Sequence, residues 1–258
     1  MTATHAERPP DAAPDAWSAG LPASVAVVGH RLHPIDLARA AEVVAAAAWG
    51  SVPRLVVTLN PEIVVRARED AALAAAVARA DLVVADGVGL VWAARRAGSP
   101  LPGRVPGVDL ACAVMARGGA DLRVFFLGGR AGVAERAAAE SRARWGVTIA
   151  GARDGYFAES DAAAVAQAVG DTGAHVLLAG LGERQERFLD DHRARLRAGA
   201  LIGVGGTLDV LAGEVQRTPA WTRRVGLEWA WRVGLDPSRW HRVPRLLRFV
   251  GLVLRAPG

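Results

Sequence analysis

The sequence predicts an α/β protein: a doubly wound, mostly parallel sheet with helices on both faces, followed by a basic helical C-terminal appendage. Three observations carry that expectation. Short β-rich apolar runs alternate with Ala-rich stretches of helical length. Several of the runs are apolar throughout, which suits strands covered on both faces. The basic residues collect at one end of the chain.

Strands are expected at 24–28, 55–58, 82–85, 123–127, 147–150, 175–179 and 200–204. Helices are expected at 35–49, 62–79, 89–98, 108–117, 133–145, 161–169 and 184–197. This alternation is the signature of βαβ units, whose right-handed crossovers bring the C-terminal ends of the strands to one edge. Ligands of such sheets bind at that edge. Residues 1–21 read as a disordered leader. They carry Glu7, Asp11 and Asp15, are broken by prolines, and have neither the basic start nor the apolar run of a signal peptide.

With 258 residues, 52% hydrophobic and 22% charged, the chain is long enough to bury a sizeable core. Cys112 is its single cysteine, which excludes an internal disulfide framework and a cysteine zinc cage and fits a reducing compartment. No stretch approaches the roughly 20 apolar residues of a membrane span. All 31 basic residues are Arg. Over 1–214, 22 Arg stand against 24 acids; over 215–258, nine Arg stand against two acids and share the segment with Trp221, Trp229, Trp231 and Trp240. The expected organisation is therefore the leader, an α/β domain over 22–214 and a basic, Trp-rich appendage over 215–258.

In that appendage Arg239, Arg242, Arg245 and Arg248 recur every third residue, with Val243, Leu246, Leu247, Val250, Val253 and Leu254 roughly opposite. Pro244 starts or kinks the helix. Such a segment suits an anionic membrane surface. Docking on the body or on a partner is a rival reading. Nucleic acid is the weakest, because the α/β body has no nucleic-acid motif.

Several strand exits carry chemistry-bearing residues. In Thr58-Leu59-Asn60-Pro61-Glu62, Asn60 is a good helix N-cap and Pro61 suits the first turn, while Thr58 and Asn60 also place polar groups at the sheet edge. Asp86, at the tip of 82–85 and before Gly87, is placed either as a general base or as a cap. Arg104 sits at the centre of SPLPGRVPG (99–107), a non-helical loop suited to substrate contact or to plain connection. Gly128, Gly129 and Gly132 form a glycine turn into a helix. Its GGxxG spacing departs from the dinucleotide fingerprint and no acid ends the next strand, so a packing turn is favoured. Gln185 opens the helix after 175–179, and Asp209 follows the glycines at 203–206. Asp-x-Asp, P-loop, HExxH and GxSxG motifs are absent. His30 and His33 read as a solvated pair rather than as ligands of a metal.

Seven segments in order resemble the bacterial WecG/TagA/CpsF glycosyltransferase family: TLNPEIV (58–64), ADGVGLVWAAR (85–95), GRVPGVDL (103–110), FLGGRAGVAE (126–135), RQE (184–186), GVGGTLDVLAGEVQRTP (203–219) and LEWAWR (227–232). The resemblance implies an inverting, metal-independent transferase without a cofactor. Such an enzyme moves a hexose-type sugar, N-acetylmannosamine or a relative, from a UDP donor to an undecaprenyl-diphosphate-linked N-acetylglucosamine or similar acceptor. It implies a peripheral location on the cytoplasmic face of the membrane.

Carried over by motif, Asp86 matches the general base and Thr58 and Asn60 match pocket residues. Arg104 matches the substrate-positioning loop arginine, and Gln185 and Asp209 match substrate-binding positions. Arg217, Arg224 and Arg232 are implied diphosphate contacts. The chain departs from the family pattern at Glu183, where Pro is usual, at Leu208, where an aromatic is usual, and at Gly206-Thr207. Two other classes stay open on residues alone: a nicotinamide-dependent oxidoreductase using Gly128 to Gly132, and a non-catalytic membrane- or partner-binding module. The oligomeric state is also open, a homo-oligomer included.

Overall fold

The computed structural model describes residue 17, residues 20–215 and residues 243–256. Most of the leader lies outside the described residues, as do Arg217, Arg224, Arg232 and the four appendage tryptophans.

Six parallel strands form the sheet: β3 (Arg54–Leu59), β4 (Leu82–Ala85), β5 (Arg123–Gly128), β6 (Thr148–Arg153), β7 (Val176–Gly180) and β8 (Ala200–Gly203), in the spatial order β4-β3-β8-β7-β5-β6. Their side chains alternate between two apolar layers, as the period of two requires. Leu55, Val57, Val83, Phe125, Leu127, Leu177 and Leu201 enter one layer. Val56, Leu82, Val84, Val124, Phe126, Leu178 and Ile202 enter the other. The first layer is covered by α2 (Pro61–Ala67), α3 (Ala71–Arg79), α4 (Val88–Arg96), α7 (Ala162–Asp171), α8 (Gln185–Asp191), α9 (Arg193–Leu196) and α11 (Val243–Arg255). The second is covered by α1 (Leu37–Ala48), α5 (Gly107–Gly118), α6 (Val133–Trp145) and α10 (Thr207–Leu211). This is the expected α/β architecture with helices on both faces.

Four details differ from the sequence expectation. The 24–28 run does not join the main sheet. Its core, β1 (Val25–Val27), pairs antiparallel with an unforeseen strand, β2 (His30–Leu32). The helix expected over 62–79 is two helices, because the Asp70 side chain accepts from Leu73 N and starts α3 afresh. The stretch 184–197 is likewise divided, into α8 and α9. His33 is buried rather than solvated. Its backbone N–H donates to Val83 O at 2.8 Å, and its Nδ1 accepts from Val83 N at 3.1 Å, so it ties the ribbon to β4.

Strands β3 and β8 are neighbours, yet β3 leads into α2 on one face and β8 into α10 on the other. Diverging exits of this kind open a crevice at the C-terminal ends of the strands, where ligands of doubly wound folds bind.

Candidate active site

The sequence-expected residues on β3, β4, α8 and the β8 exit gather around that crevice. Thr58, buried near the end of β3, donates its hydroxyl to Gly203 O at 3.1 Å. Asn60 caps α2, its Oδ1 accepting from Ile63 N at 3.0 Å, with Pro61 in the first turn. The cap expected from the sequence is therefore formed, and it uses the Asn60 carbonyl.

Asp86 leaves β4 with its backbone N–H on Leu59 O at 2.7 Å, which fixes it beside the β3 exit. Its Oδ2 accepts from Gly107 N at 3.2 Å. That N–H comes from the start of α5, so the proline-rich loop returns its end to the carboxylate. Val105 N also bonds Ala85 O at 2.7 Å, which sets the half-buried Arg104 close to the same strand tip. A side chain at Gly107 would meet Thr58 Oγ1 at 3.1 Å, so loop backbone and Thr58 are in contact.

Gln185, the first residue of α8, is buried. Its Oε1 accepts from Gly205 N at 2.9 Å, and its Nε2 donates to Glu186 Oε1 at 2.9 Å. The amide expected to meet ligand is thus engaged in holding the glycine turn after β8. Asp209 lies partly exposed in the first turn of α10, beyond that turn. A continuous set of contacts runs from Asp86 through Gly107, Thr58, Gly203 and Gln185 to Glu186.

The β5 glycine turn has a packing explanation. Gly128 adopts φ +138°, and a Cβ there would fall 2.3 Å from Gly180 O. The neighbouring strand exits demand glycine whether or not a ligand is present.

Sequence reasoning missed a charged cluster beside the site. Arg245 of α11 donates to Glu62 at 2.7 Å and to Glu183 at 3.0 Å. Glu62 lies two residues after Asn60 and Glu183 two before Gln185, so one guanidinium links the two segments that carry those residues. Arg66 donates to the Glu183 carbonyl and lies 3.7 Å from its carboxylate. Glu183, the departure from the family's usual Pro, therefore anchors α11 and α2. Below the cluster, burial pushes the Glu186 carboxyl above its ordinary range; its own backbone, Arg66 and Gln185 oppose that shift, and Glu62 adds to it. The sequence carried no local signal for the cluster: Glu62, Glu183 and Arg245 lie far apart along the chain and meet only through the fold.

A sequence model of the glycosyl transferase WecG/TagA/CpsF family matches residues 25–257, nearly the whole chain. The chain belongs to that family. It is a glycosyltransferase, and its family points to cell-surface polysaccharide synthesis. Thr58, Asn60, Asp86, Arg104 and Gln185 lie at or beside the β3, β4 and β8 exits and Asp209 lies beyond the β8 turn, while Arg217, Arg224 and Arg232 lie outside the described residues. No helix among the described residues is long and apolar enough to cross a membrane. Of the apolar arc read in the α11 sequence, Val253 is docked at 2% exposed, together with Phe249 at 1%, a residue that reading left out. Leu247, Val250 and Leu254, at 66%, 36% and 56%, form an outward stripe with the exposed Arg248 and Arg255 beside it.

Proposed function

We propose that the transferase moves a hexose-type sugar, N-acetylmannosamine or a relative, from a UDP donor to an undecaprenyl-diphosphate-linked N-acetylglucosamine or similar acceptor, with inversion and without a metal ion. The observation that carries this reading is the placement of Asp86. A carboxylate leaves β4 beside the β3 exit, oriented by the Gly107 N–H and by its own backbone bond to Leu59.

In the proposed step the acceptor hydroxyl oxygen attacks the anomeric carbon of the donor. The bond from that carbon to the diphosphate oxygen breaks, and UDP leaves with the electron pair. The hydroxyl proton passes to the Asp86 carboxylate. Thr58 and Gln185 shape the floor by holding the turn that begins at Gly203, and Asn60 fixes the start of α2 at its wall. Arg104 and Asp209 contact substrate from the rim. Arg217, Arg224 and Arg232 take the diphosphate charge, for which the planar guanidinium fork is suited. The outward stripe of α11 supports a peripheral position on an anionic membrane surface, so that 215–258 acts as the membrane-facing part and 22–214 as the catalytic body.

The test is incubation of the protein with a short-chain lipid-diphosphate-N-acetylglucosamine and a panel of UDP-sugars, with and without EDTA, products being read by mass. One added sugar that survives EDTA is expected. Asp86→Asn should lower kcat by about 10²–10⁴-fold, the usual contribution of a general base, with UDP binding retained. Substantial turnover by that variant would remove Asp86 from the base role.

A further inference from the structure

Glu186 has no part in the proposed step, yet it is the most deeply buried acid at the site. Neighbouring residues on a helix normally point apart and do not pair. Here Gln185 and Glu186 do pair, at 2.9 Å. The amide orientation follows from its other partner. Gly205 N–H can only donate, so the atom 2.9 Å away is the Gln185 oxygen, and Nε2 is then the group that faces Glu186. The amide also presses on the turn: a Cβ at Gly203 would lie 2.4 Å from Nε2. Thr58 holds the same residue from the β3 side.

We propose that Glu186 is a positioning residue: its Oε1 fixes the Gln185 amide, and that amide fixes the 203–206 turn at the floor of the crevice beside Asp86. The functional consequence rests on the transferase reading, whereas the positioning itself does not.

The second Glu186 oxygen, Oε2, is buried without a hydrogen-bond partner among the described residues. An ionised carboxylate would leave charge on an unpaired buried oxygen, which is costly. The neutral acid keeps Oε1 as the acceptor and carries its proton on Oε2. The charged groups around it are Glu62 and Arg66 from α2, with Glu183 from the turn before α8 and Arg245 from α11 linked to them. Since burial raises the carboxyl above its ordinary range, the neutral form persists above the usual carboxylate pH and is lost as pH rises further. Opening the turn exposes the carboxyl to water, where it ionises in the ordinary carboxylate range, so rising pH favours the open form of the turn over the closed one.

Hydrogen exchange of the unliganded full chain tests this, read on peptides covering 203–211 over a pH series and corrected for intrinsic exchange. Glu186→Gln keeps an acceptor for Gln185 and does not titrate. Glu186→Met fills similar space without an acceptor. In the wild type, protection of the turn should fall as pH rises from the ordinary carboxylate range towards the raised value of Glu186, and Glu186→Gln should remove that fall. Glu186→Met should lose about five- to tenfold in protection at the low-pH end of the series, where the wild-type protection is greatest, the scale of one buried hydrogen bond. In the turnover assay the donor KM should rise in Glu186→Met and be restored in Glu186→Gln. Equal pH dependence in the wild type and Glu186→Gln overturns the proposal even if Glu186→Met does not fold. Wild-type protection in Glu186→Met overturns it as well. Exchange that follows expectation with no sugar transferred from any donor would instead overturn the transferase reading and leave the positioning intact.

Discussion

Replacing Phe249 by Ala asks whether α11 is seated by its buried face or by its ion pairs. Phe249 is 1% exposed, and Gly89 of α4 lies against both its ring and Pro61 of α2. Truncating a buried Phe costs about 3–5 kcal/mol when the surroundings stay in place. The ion pairs of α11 are Arg245 to Glu62 and Glu183, at 2.7 and 3.0 Å, and Arg248 to Glu69 at 2.8 Å, beside one hydrogen bond from Arg96 to Val253 O at 3.3 Å. Their side chains run from a quarter to two-thirds exposed, so each contributes about 0.2–1 kcal/mol. The ring therefore outweighs any one of the ion pairs and at least matches the three together. A loss of 3 kcal/mol shifts the opening equilibrium of α11 by about a hundredfold, since each 1.4 kcal/mol is tenfold. Hydrogen exchange on peptides covering 243–256 should show that loss of protection, with β3 and β8 little changed. Arg245→Met, which removes two of the pairs, should change the same peptides by about two- to thirtyfold, less than the loss of the ring. Equal effects of the two variants would refute the reasoning by making the ion pairs the seat of the helix. An equal loss in β3 and β8 would show that α11 does not open as a separate unit.

The remaining expectations concern other links in the structure. Burial, opposed by the Val83 carbonyl and assisted by Arg31, lowers the His33 pKa below its ordinary 6.5. The folded state thus favours neutral His33, so its stabilisation is present above pH 6.5 and is lost as pH falls towards the depressed value. Thermal melts should show a fall in Tm below that pH in the wild type, reduced in His33→Asn; parallel falls would exonerate His33. Gly128→Ala combines φ +138° with a Cβ 2.3 Å from Gly180 O, so it should destabilise by several kcal/mol, as large backbone-strain effects do, and lower Tm sharply. A Tm within a few degrees of wild type would contradict that close approach. Leu247→Glu with Leu254→Glu should weaken binding to anionic vesicles at least tenfold at nearly unchanged Tm, because both side chains are mostly exposed. Undiminished co-sedimentation would take the membrane role away from α11.

How much was legible in advance follows the range of the forces involved. The strands β3, β4, β5, β7 and β8 were readable because each holds an apolar run that both faces of a sheet can cover, whereas the edge strand β6 has no buried residue and extends to Arg153, three residues past the stretch expected at 147–150. The Asn60–Pro61 helix start was readable because a cap is set within three residues. The break before α3 was missed because apolar periodicity continues across Asp70, although the cap itself is local. The β1 ribbon was misplaced because strand pairing is chosen by distant partners, and a short apolar run carries no label for its mate.

At the site, the sequence by itself determined which residue types stand at the strand exits, Asp86 and Asn60 above all, together with the family. Tertiary structure decided what those side chains do. Gln185 meets Gly205 and Thr58 meets Gly203 across 20 and 145 residues, separations that no local pattern encodes. Glu186 reads in sequence as an ordinary acid in a helix first turn, and only the packing of α8 within the first layer buries it. The same holds for the C-terminal amphipathic pattern. Periodicity gave one broad apolar arc, and the fold divided it, seating Val253 in the core beside Phe249, which the arc had omitted, and leaving Leu247 and Leu254 outside. A hydrophobic pattern specifies that a face must be covered; the three-dimensional arrangement of α2 and α4 specifies by what, and how much of it.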